Sequence, residues 1–140
     1  FLFLLHTEEQ LASNLEPNVR SHLRRLETTK KFTIRQFIRI VPGALSTTEA
    51  YHLERAVDEI ISNIARHARA NQIRFHLEVG ATGGFLCVTD NGVGFDIHAI
   101  TKNIGLESLQ YRADRLGGRL KILSREGKGT AVALRFRRRP

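Results

Sequence analysis

The 140-residue sequence predicts an α+β fold, a two-layer sandwich in which a mixed, mostly antiparallel sheet carries helices on one face. Three observations predict it. Hydrophobic residues make up 41% of the chain, and its length suits one domain with one core. Segments with helical periodicity are interspersed with segments that alternate like strands. Glycine turns join two pairs of the strand-like segments, as in antiparallel hairpins.

The first half of the chain predicts a helix, a strand and a longer helix. Pro17 fits the first turn of a helix that runs to about residue 29. Residues 32–41 are β-branched and aromatic with partial alternation, which favours a strand. Apolar residues that repeat at helical spacing then predict a helix that runs to about Ala70. Thr47 or Thr48 is expected to cap its N-terminus.

The second half predicts four strands and one short helix. Residues 73–79 alternate between apolar and polar side chains and indicate a half-buried strand, whereas the continuously apolar residues 85–89 indicate a central strand. A glycine-punctuated loop then leads to a short helix over residues 106–116. Two last strands are expected at about 119–124 and 130–137, on either side of a glycine turn.

Composition excludes several classes of protein. The net charge is +8, but the basic residues are scattered along the sequence without interleaved aromatic residues, which argues against direct nucleic-acid binding. No apolar run approaches the roughly 18 residues that span a bilayer, so no membrane contact is expected for this segment. Cys87 is the only cysteine, which rules out an internal disulfide and predicts a buried, inert thiol. The absence of methionine, even at position 1, suggests a fragment of a longer protein.

A polar row on the long helix is the first candidate for chemistry. Glu59, Asn63 and His67 are spaced by four residues and stack on one face beside the apolar stripe. The amide oxygen of Asn63 suits Mg²⁺ that otherwise keeps water and phosphate ligands. Glu59 could orient or deprotonate a nucleophile, and His67 could contact a phosphate. The alternative is an ordinary solvated helix face.

The second candidate is Asp90-Asn91-Gly92-Val93-Gly94, directly after the apolar strand. A carboxylate at a strand end can accept a hydrogen bond from an exocyclic amine such as that of adenine. Gly92 and Gly94 lack side chains, so that a flat ring can approach the backbone. The alternative is a plain turn, since these residue types commonly form one.

The third candidate is Asn103-Ile104-Gly105-Leu106, at the start of the short helix. Gly105 near a helix N-terminus leaves unpaired N–H groups that can bind phosphate oxygens. The alternative is that Gly105 only serves the entry of the chain into the helix, where a glycine is common without any ligand. The segment matches neither a Walker A loop nor a dinucleotide-binding fingerprint.

The order and spacing of these segments resemble the catalytic ATP-binding domain of histidine kinases, a group within the Bergerat-fold ATPases that also include gyrase and MutL. DEIISNIARHA resembles the N box of that family, DNGVGFD the G1 box, NIGLESL the G2 box and GKGTAVALRF the closing strand. YRADRLGGRLKILSREGKGT is similar to the sensors paired with LuxR/NarL-type regulators, which have a short lid. The resemblance covers about residues 32–137.

The resemblance implies roles for residues on the helix and the first strand end. Asn63 would hold Mg²⁺ on the ATP phosphates, Glu59 would help to activate the phosphoacceptor, and His67 would lie near the phosphates. Asp90 would bind the adenine amine, with the G1 glycines Gly92 and Gly94 beside the ring.

The resemblance also implies roles for the lid and the last strand. Gly105 and Leu106 would form the lid end against the phosphates, and Thr130 would reach a water network beside adenine. Asn103 stands where the family usually has the first glycine of G-x-G-L, and asparagine tolerates left-handed backbone angles better than most residues. Residues 96–103 would be a mobile lid.

As a whole, the resemblance implies a histidine kinase domain that transfers the γ-phosphoryl of ATP to a histidine on a separate dimerisation domain. Residues 1–31 would be an N-terminal helical segment, the end of a linker, and residues 32–140 the ATP-binding domain. His6 and His22 are expected to be surface or packing histidines, so that the chain alone binds ATP without autophosphorylation. The parent protein would be a cytoplasmic or membrane-anchored homodimer that signals to a response regulator.

Three alternatives remain open from the sequence. A degenerate domain could keep the fold and act only in docking or regulation, and Asn103 is the reason to consider it. A serine-phosphorylating anti-sigma kinase shares the fold. A basic nucleic-acid binder is the third alternative.

Overall fold

The computed structural model describes residues 14–67, 69–94 and 104–138. Within these ranges three helices and five strands follow the predicted order. They are α1 (Leu15–Thr29), β1 (Thr33–Ile40), α2 (Thr47–His67), β2 (Gln72–Gly80), β3 (Gly83–Asp90), α3 (Ile104–Arg115), β4 (Gly118–Arg125) and β5 (Gly129–Arg137). The order of elements is therefore confirmed.

The five strands form one mixed sheet in the order β1-β2-β3-β5-β4. β1 and β2 are parallel because the long helix α2 connects them and returns the chain to the same end of the sheet. The other three pairs are antiparallel. This arrangement confirms the predicted mixed, mostly antiparallel sheet, with β3 at its centre.

The sheet has one face under the helices and one open face. On β2, Ile73, Phe75 and Leu77 are buried against the helices, while the alternate residue Arg74 is exposed. Cys87 lies on the open face of β3, half-buried and not buried as predicted, and burial raises the pKa of its thiol. The helical face is completed by apolar residues of all three helices, which join the same core.

The start of α2 differs from the prediction. The Ser46 backbone N–H donates to Glu49 Oε1 at 2.9 Å, and the Glu49 N–H donates to Ser46 Oγ at 3.1 Å. This reciprocal pair is a capping box, so the expected caps Thr47 and Thr48 are wrong. α2 also ends at His67 and not near Ala70, because Arg69 has a left-handed φ of 49° that a helix cannot accommodate.

The first helix is packed into the core of the sandwich. Leu15, Val19, Leu23 and Leu26 lie on its buried face and belong to the same hydrophobic cluster as the sheet. α3 begins at Ile104, slightly before the predicted start at residue 106. Among the described helices, none is sufficiently long and apolar to cross a bilayer. The domain boundary at residue 32 stays a prediction.

Candidate nucleotide site

Asp90 is the last residue of β3 and lies on the helical face of the sheet. It continues the alternation of Leu86 and Val88, whose side chains are buried beneath the helices. Its carboxylate Oδ1 accepts the backbone N–H of Gly92 at 2.8 Å. Burial raises the pKa of the Asp90 carboxyl, and the backbone amides of Gly92 and Thr130 act against that rise. Burial is thus the larger influence on the pKa of this half-buried carboxyl.

Two hydroxyl residues continue this row across the neighbouring strands. Thr130 of β5 pairs with Asp90 in the β3–β5 register, and Ser124 of β4 pairs with Thr130. Ser124 Oγ and Thr130 Oγ1 are 2.8 Å apart. Sequence reasoning missed Ser124, because its neighbour Thr130 is close only through strand pairing.

The loop after Asp90 is held by the side chain of Asn91. Asn91 Oδ1 accepts the backbone N–H of Asn71 at 3.0 Å and that of Gln72 at 2.9 Å. Asn91 Nδ2 also donates to Asn71 Oδ1 at 2.6 Å. These bonds tie the end of β3 to the segment that joins α2 to β2. Sequence reasoning treated Asn91 only as a turn former.

Gly94 is required by the path of the chain, independently of any ligand. Its φ of 63° lies in the left-handed region, and a Cβ there would overlap the carbonyl oxygen of Arg125. The Gly127 N–H also donates to the carbonyl oxygen of Val93 at 2.5 Å, so that the loop packs on the β4–β5 turn. Gly92, the other glycine of this motif, is buried. The expected close approach of a ring to these glycines stays a prediction.

The polar row on α2 lies along the edge of its buried stripe. Glu59 and Asn63 are half-buried, whereas Ile60 and Ile64 beside them are buried. Arg66 Nη2 donates to Asn63 Oδ1 at a long 3.5 Å, which leaves the amide oxygen weakly engaged. His67 is the last residue of α2, and its side chain lies outside the described part of the structure.

Asn63 and Asp90 lie at the same end of the sandwich. Asn63 is in the last turns of α2, and the chain that leaves α2 reaches Asn71 shortly afterwards. Asn71 is hydrogen-bonded to Asn91, the neighbour of Asp90. The helices cover the face on which Asp90 lies, so Asn63 and Asp90 share both an end and a face of the sandwich.

The third candidate segment is described in part. Gly105 and Leu106 lie in the first turn of α3, and Leu106 is half-buried. Leu109 and Ala113, three and seven residues further along the same side of α3, are buried in the core. Asn103 and the expected lid over residues 96–103 lie outside the described residues.

Of the two histidines expected to be packing or surface residues, only His22 lies in the described part of the structure. His22 Nδ1 lies 3.2 Å from Asp58 Oδ1, where α1 meets α2, which agrees with a packing role. His6 lies outside the described residues.

Comparisons with known proteins identify the family. A family model described as histidine kinase-, DNA gyrase B- and HSP90-like ATPase matches residues 48–140. Sensor histidine kinase LiaS of Bacillus subtilis is 36% identical over 93 residues, which cover 66% of this chain and 26% of LiaS. Nitrate/nitrite sensor protein NarQ of Escherichia coli is 30% identical over 113 residues, or 79% of this chain and 20% of NarQ. The chain thus spans about a quarter or less of these relatives.

Solved structures show the same fold. The histidine kinase domain of a blue-light activated kinase from Erythrobacter litoralis has a TM-score of 0.66 at 17% identity, over 90% of this chain and 64% of that one. Histidine kinase AdeS of Acinetobacter baumannii has a TM-score of 0.64 at 15% identity, over 91% and 74% of the two chains. The family model and the curated relatives show that the chain belongs to the histidine kinase-, DNA gyrase B- and HSP90-like ATPase family, as a domain homologous to the catalytic domains of sensor histidine kinases.

Proposed function

We propose that this chain binds Mg²⁺-ATP between the end of α2 and the Asp90 end of β3, as the catalytic domain of a sensor histidine kinase. The observation that carries the proposal is the half-buried Asp90 carboxylate on the helical face, in register with Thr130 and at the end of the sandwich where the chain leaves α2. The transferred γ-phosphoryl would pass to a histidine on a dimerisation domain of the parent protein.

Asp90 is the residue that would select adenine. A carboxylate accepts hydrogen bonds only, so it pairs with the 6-amino group of adenine and repels the 6-carbonyl oxygen of guanine. A half-buried acceptor that is left without a donor loses more free energy than an exposed one, which strengthens the discrimination. Thr130 and Ser124 would order water on the same side of the base.

The phosphates would lie toward α2 and α3. The weakly engaged amide oxygen of Asn63 fits Mg²⁺, which prefers a few neutral or anionic oxygen ligands and keeps several waters. When bound, the ion would neutralise charge on the phosphates. The first turn of α3, with Gly105 and Leu106, would offer backbone N–H groups to phosphate oxygens, and Asn103 and His67 would lie nearby. Glu59 would orient the attacking imidazole.

The wider assignment rests on the relatives. Several are named as histidine kinases, among them signal transduction histidine-protein kinase/phosphatase DegS and sensor histidine kinase ComP, both of Bacillus subtilis. We therefore propose a homodimeric parent, a cytoplasmic location for this domain and a LuxR/NarL-type response regulator downstream. Direct contact with nucleic acid is not part of this function.

The test is calorimetric titration with ATP, GTP and ADP, with and without Mg²⁺, on the chain and on two variants. Asp90→Asn is expected to lose the preference for ATP over GTP, and Asn63→Ala is expected to lose the dependence of ATP affinity on Mg²⁺. Asp114→Asn and Gln110→Ala are the matched controls, because both residues lie on the exposed side of α3 and their side chains bond to each other and to no other described side chain.

Three other results would contradict the proposed function. Failure of millimolar Mg²⁺-ATP to raise the melting temperature would favour a docking module without nucleotide, because binding must stabilise the folded state. ATP binding that survives Asp90→Asn with its base preference intact would place the base elsewhere. Phosphorylation of a serine in a partner protein would favour the anti-sigma alternative.

A further inference from the structure

The open face of the sheet is strongly basic. Among the described residues, eight exposed cations lie on it, spread over four of the five strands. These are Arg35 and Arg39 on β1, Arg74 on β2, Arg119, Lys121 and Arg125 on β4, and Arg135 and Arg137 on β5. We call this surface the basic face. Strand pairing has gathered charges that are scattered along the sequence.

The register places cations directly opposite one another. Arg35 pairs with Arg74 across β1 and β2, and Arg119 pairs with Arg135 across β4 and β5. Like charges in such cross-strand positions destabilise a sheet. Among the described residues, none of the eight cations has a carboxylate within ion-pair distance. The fold thus maintains a repulsive arrangement that an external anion would relieve.

Acidic residues offset this charge at one position of the described open face. Glu78 pairs with Arg39 in the β1–β2 register, although its carboxylate lies 3.1 Å from His76 Nε2 and not within ion-pair distance of Arg39. Glu126 lies in the turn between β4 and β5, at the rim of the face. The remaining potential attracts anions over the whole width of the sheet.

Apolar side chains stand among the cations at both margins of the basic face. Phe37 on β1 is 49% exposed, and Leu123 on β4 is 59% exposed. A surface that combines cations with exposed aromatic and aliphatic side chains suits the headgroup region of a bilayer, where such side chains insert.

The aromatic rings are unsuited to stacking on nucleic-acid bases. Phe37 stacks on His76 with ring centroids 4.9 Å apart, and His76 meets Phe85 edge-to-face at 5.8 Å. The Arg135 guanidinium carbon lies 4.9 Å from the centre of the Phe85 ring. His76 and Phe85 are engaged in these contacts, so Phe37 is the one largely exposed ring on the described open face, whereas single-strand binding uses a series of such rings.

We propose that the basic face docks on an anionic lipid bilayer. The cations extend over four strand-to-strand steps of about 4.8 Å, or about 19 Å, in one layer. A polypeptide strand would follow only one line across this area, whereas a bilayer presents a plane of phosphates and carboxylates. The absence of a long apolar segment, which predicted no membrane contact, does not bear on a surface assembled by strand pairing.

Docking in this way leaves the nucleotide site free. Asp90 and Thr130 face the helical layer, on the opposite side of the sheet from the cations. The bilayer would thus bind one face while the proposed nucleotide site lies on the other face, away from the lipid. The inference is independent of ATP binding, so either proposal can fail alone.

The test is co-sedimentation of the full chain with vesicles of phosphatidylcholine and phosphatidylserine in a two-to-one ratio. Binding is expected to these vesicles and not to pure phosphatidylcholine, and to weaken as salt rises. The triple variant Arg39→Gln, Arg74→Gln, Lys121→Gln removes three charges from the basic face. Its partition coefficient is expected to fall about tenfold or more.

A charge-matched control separates position from total charge. Arg24→Gln, Arg25→Gln, Lys30→Gln removes three exposed cations from the helical layer and lowers the net charge equally. It is expected to bind vesicles nearly as well as the parent chain. Leu123→Ser is expected to weaken binding without changing its salt dependence, because it removes an inserted side chain and no charge.

Three results would overturn the proposal. The first is no binding to anionic vesicles by a chain that melts cooperatively. The second is an equal loss in both triple variants, which would reduce the effect to net charge. The third is preferential binding to a random single-stranded oligonucleotide or to polyglutamate, which would assign the basic face to a nucleic acid or an acidic protein.

Discussion

Asn91 joins the two sides of the proposed nucleotide site through Asn71. The Asn91 side chain accepts the backbone N–H groups of Asn71 and Gln72 and donates to Asn71 Oδ1. It therefore fixes the distance between the strand end that bears Asp90 and the chain that leaves α2. A positioning role follows for a residue that does not itself face the base.

Asn91→Ala is expected to weaken ATP binding and to lower the free energy of unfolding by about 0.5–1.5 kcal/mol, because it removes hydrogen bonds from exposed backbone N–H groups that water then solvates. Asn91→Asp keeps the acceptor oxygen and is expected to recover much of the ATP affinity. Calorimetry and urea unfolding measure both effects. An Asn91→Ala chain with unchanged ATP affinity would show that the link does not position the site.

The pH dependence of ATP affinity should report Asp90. Burial raises the pKa of its carboxyl in the free domain, with the amides of Gly92 and Thr130 opposing that rise. Protonation converts one carboxylate oxygen to a donor and leaves only a weaker neutral acceptor for adenine, so ATP affinity should fall with decreasing pH already above the usual range of aspartate. Titration calorimetry across this pH range, with Asp90→Asn as the pH-insensitive reference, tests it.

Protonation of the same carboxyl weakens ATP binding but favours the folded state of the nucleotide-free domain. A pKa that is raised on folding contributes stability below the unfolded pKa, and this contribution is lost as pH rises through the folded pKa. Asp90→Asn is therefore expected to leave the nucleotide-free domain at least as stable at neutral pH while it impairs ATP recognition. A large loss of stability in that variant would contradict this account.

His52 should make the fold sensitive to acid. It is buried, 5% exposed, and its Nδ1 lies 3.0 Å from Arg112 Nη1, which can donate only to a neutral imidazole. Burial, Arg112 and Arg115 lower its pKa. A lowered histidine pKa contributes stability above the unfolded value of 6.5, and that stability is lost as pH falls through the folded pKa.

His52→Gln retains an acceptor for Arg112 without a comparable titration. The melting temperature of the parent chain is expected to fall more steeply than that of His52→Gln as pH decreases below 6.5. Thermal unfolding in a pH series measures the difference. Parallel curves for the two proteins would exclude His52 as the cause.

Alanine substitutions at Gly94 and Gly127 distinguish the free-energy cost of backbone strain from that of steric overlap. Both have positive φ angles, 63° and 77°, but only a Cβ at Gly94 would strike the Arg125 carbonyl, whereas the space at Gly127 is open. Gly127→Ala is expected to cost about 1 kcal/mol of unfolding free energy. Gly94→Ala should cost roughly 2–4 kcal/mol and also weaken ATP binding, as measured by urea unfolding and calorimetry. Equal effects would exclude the proposed overlap.

The sequence alone determined the features that depend on local periodicity and short motifs. Alternation and helical spacing predicted the order of elements and the buried stripe of α2, and the Asp90 and Asn63 motifs indicated the family. Element ends were less certain, because Ser46, Thr47 and Thr48 can all cap a helix. The reciprocal hydrogen bonds between Ser46 and Glu49 show that Ser46 is the cap.

Only the tertiary structure decided which distant residues meet. The β3–β5–β4 register aligns Asp90, Thr130 and Ser124, and the contact of Asn91 with Asn71 brings the two motifs to one end. The same pairing collects on one face the cations that look scattered along the chain. Strand order and register depend on the packing of the whole core, so composition and spacing could not reveal these neighbours.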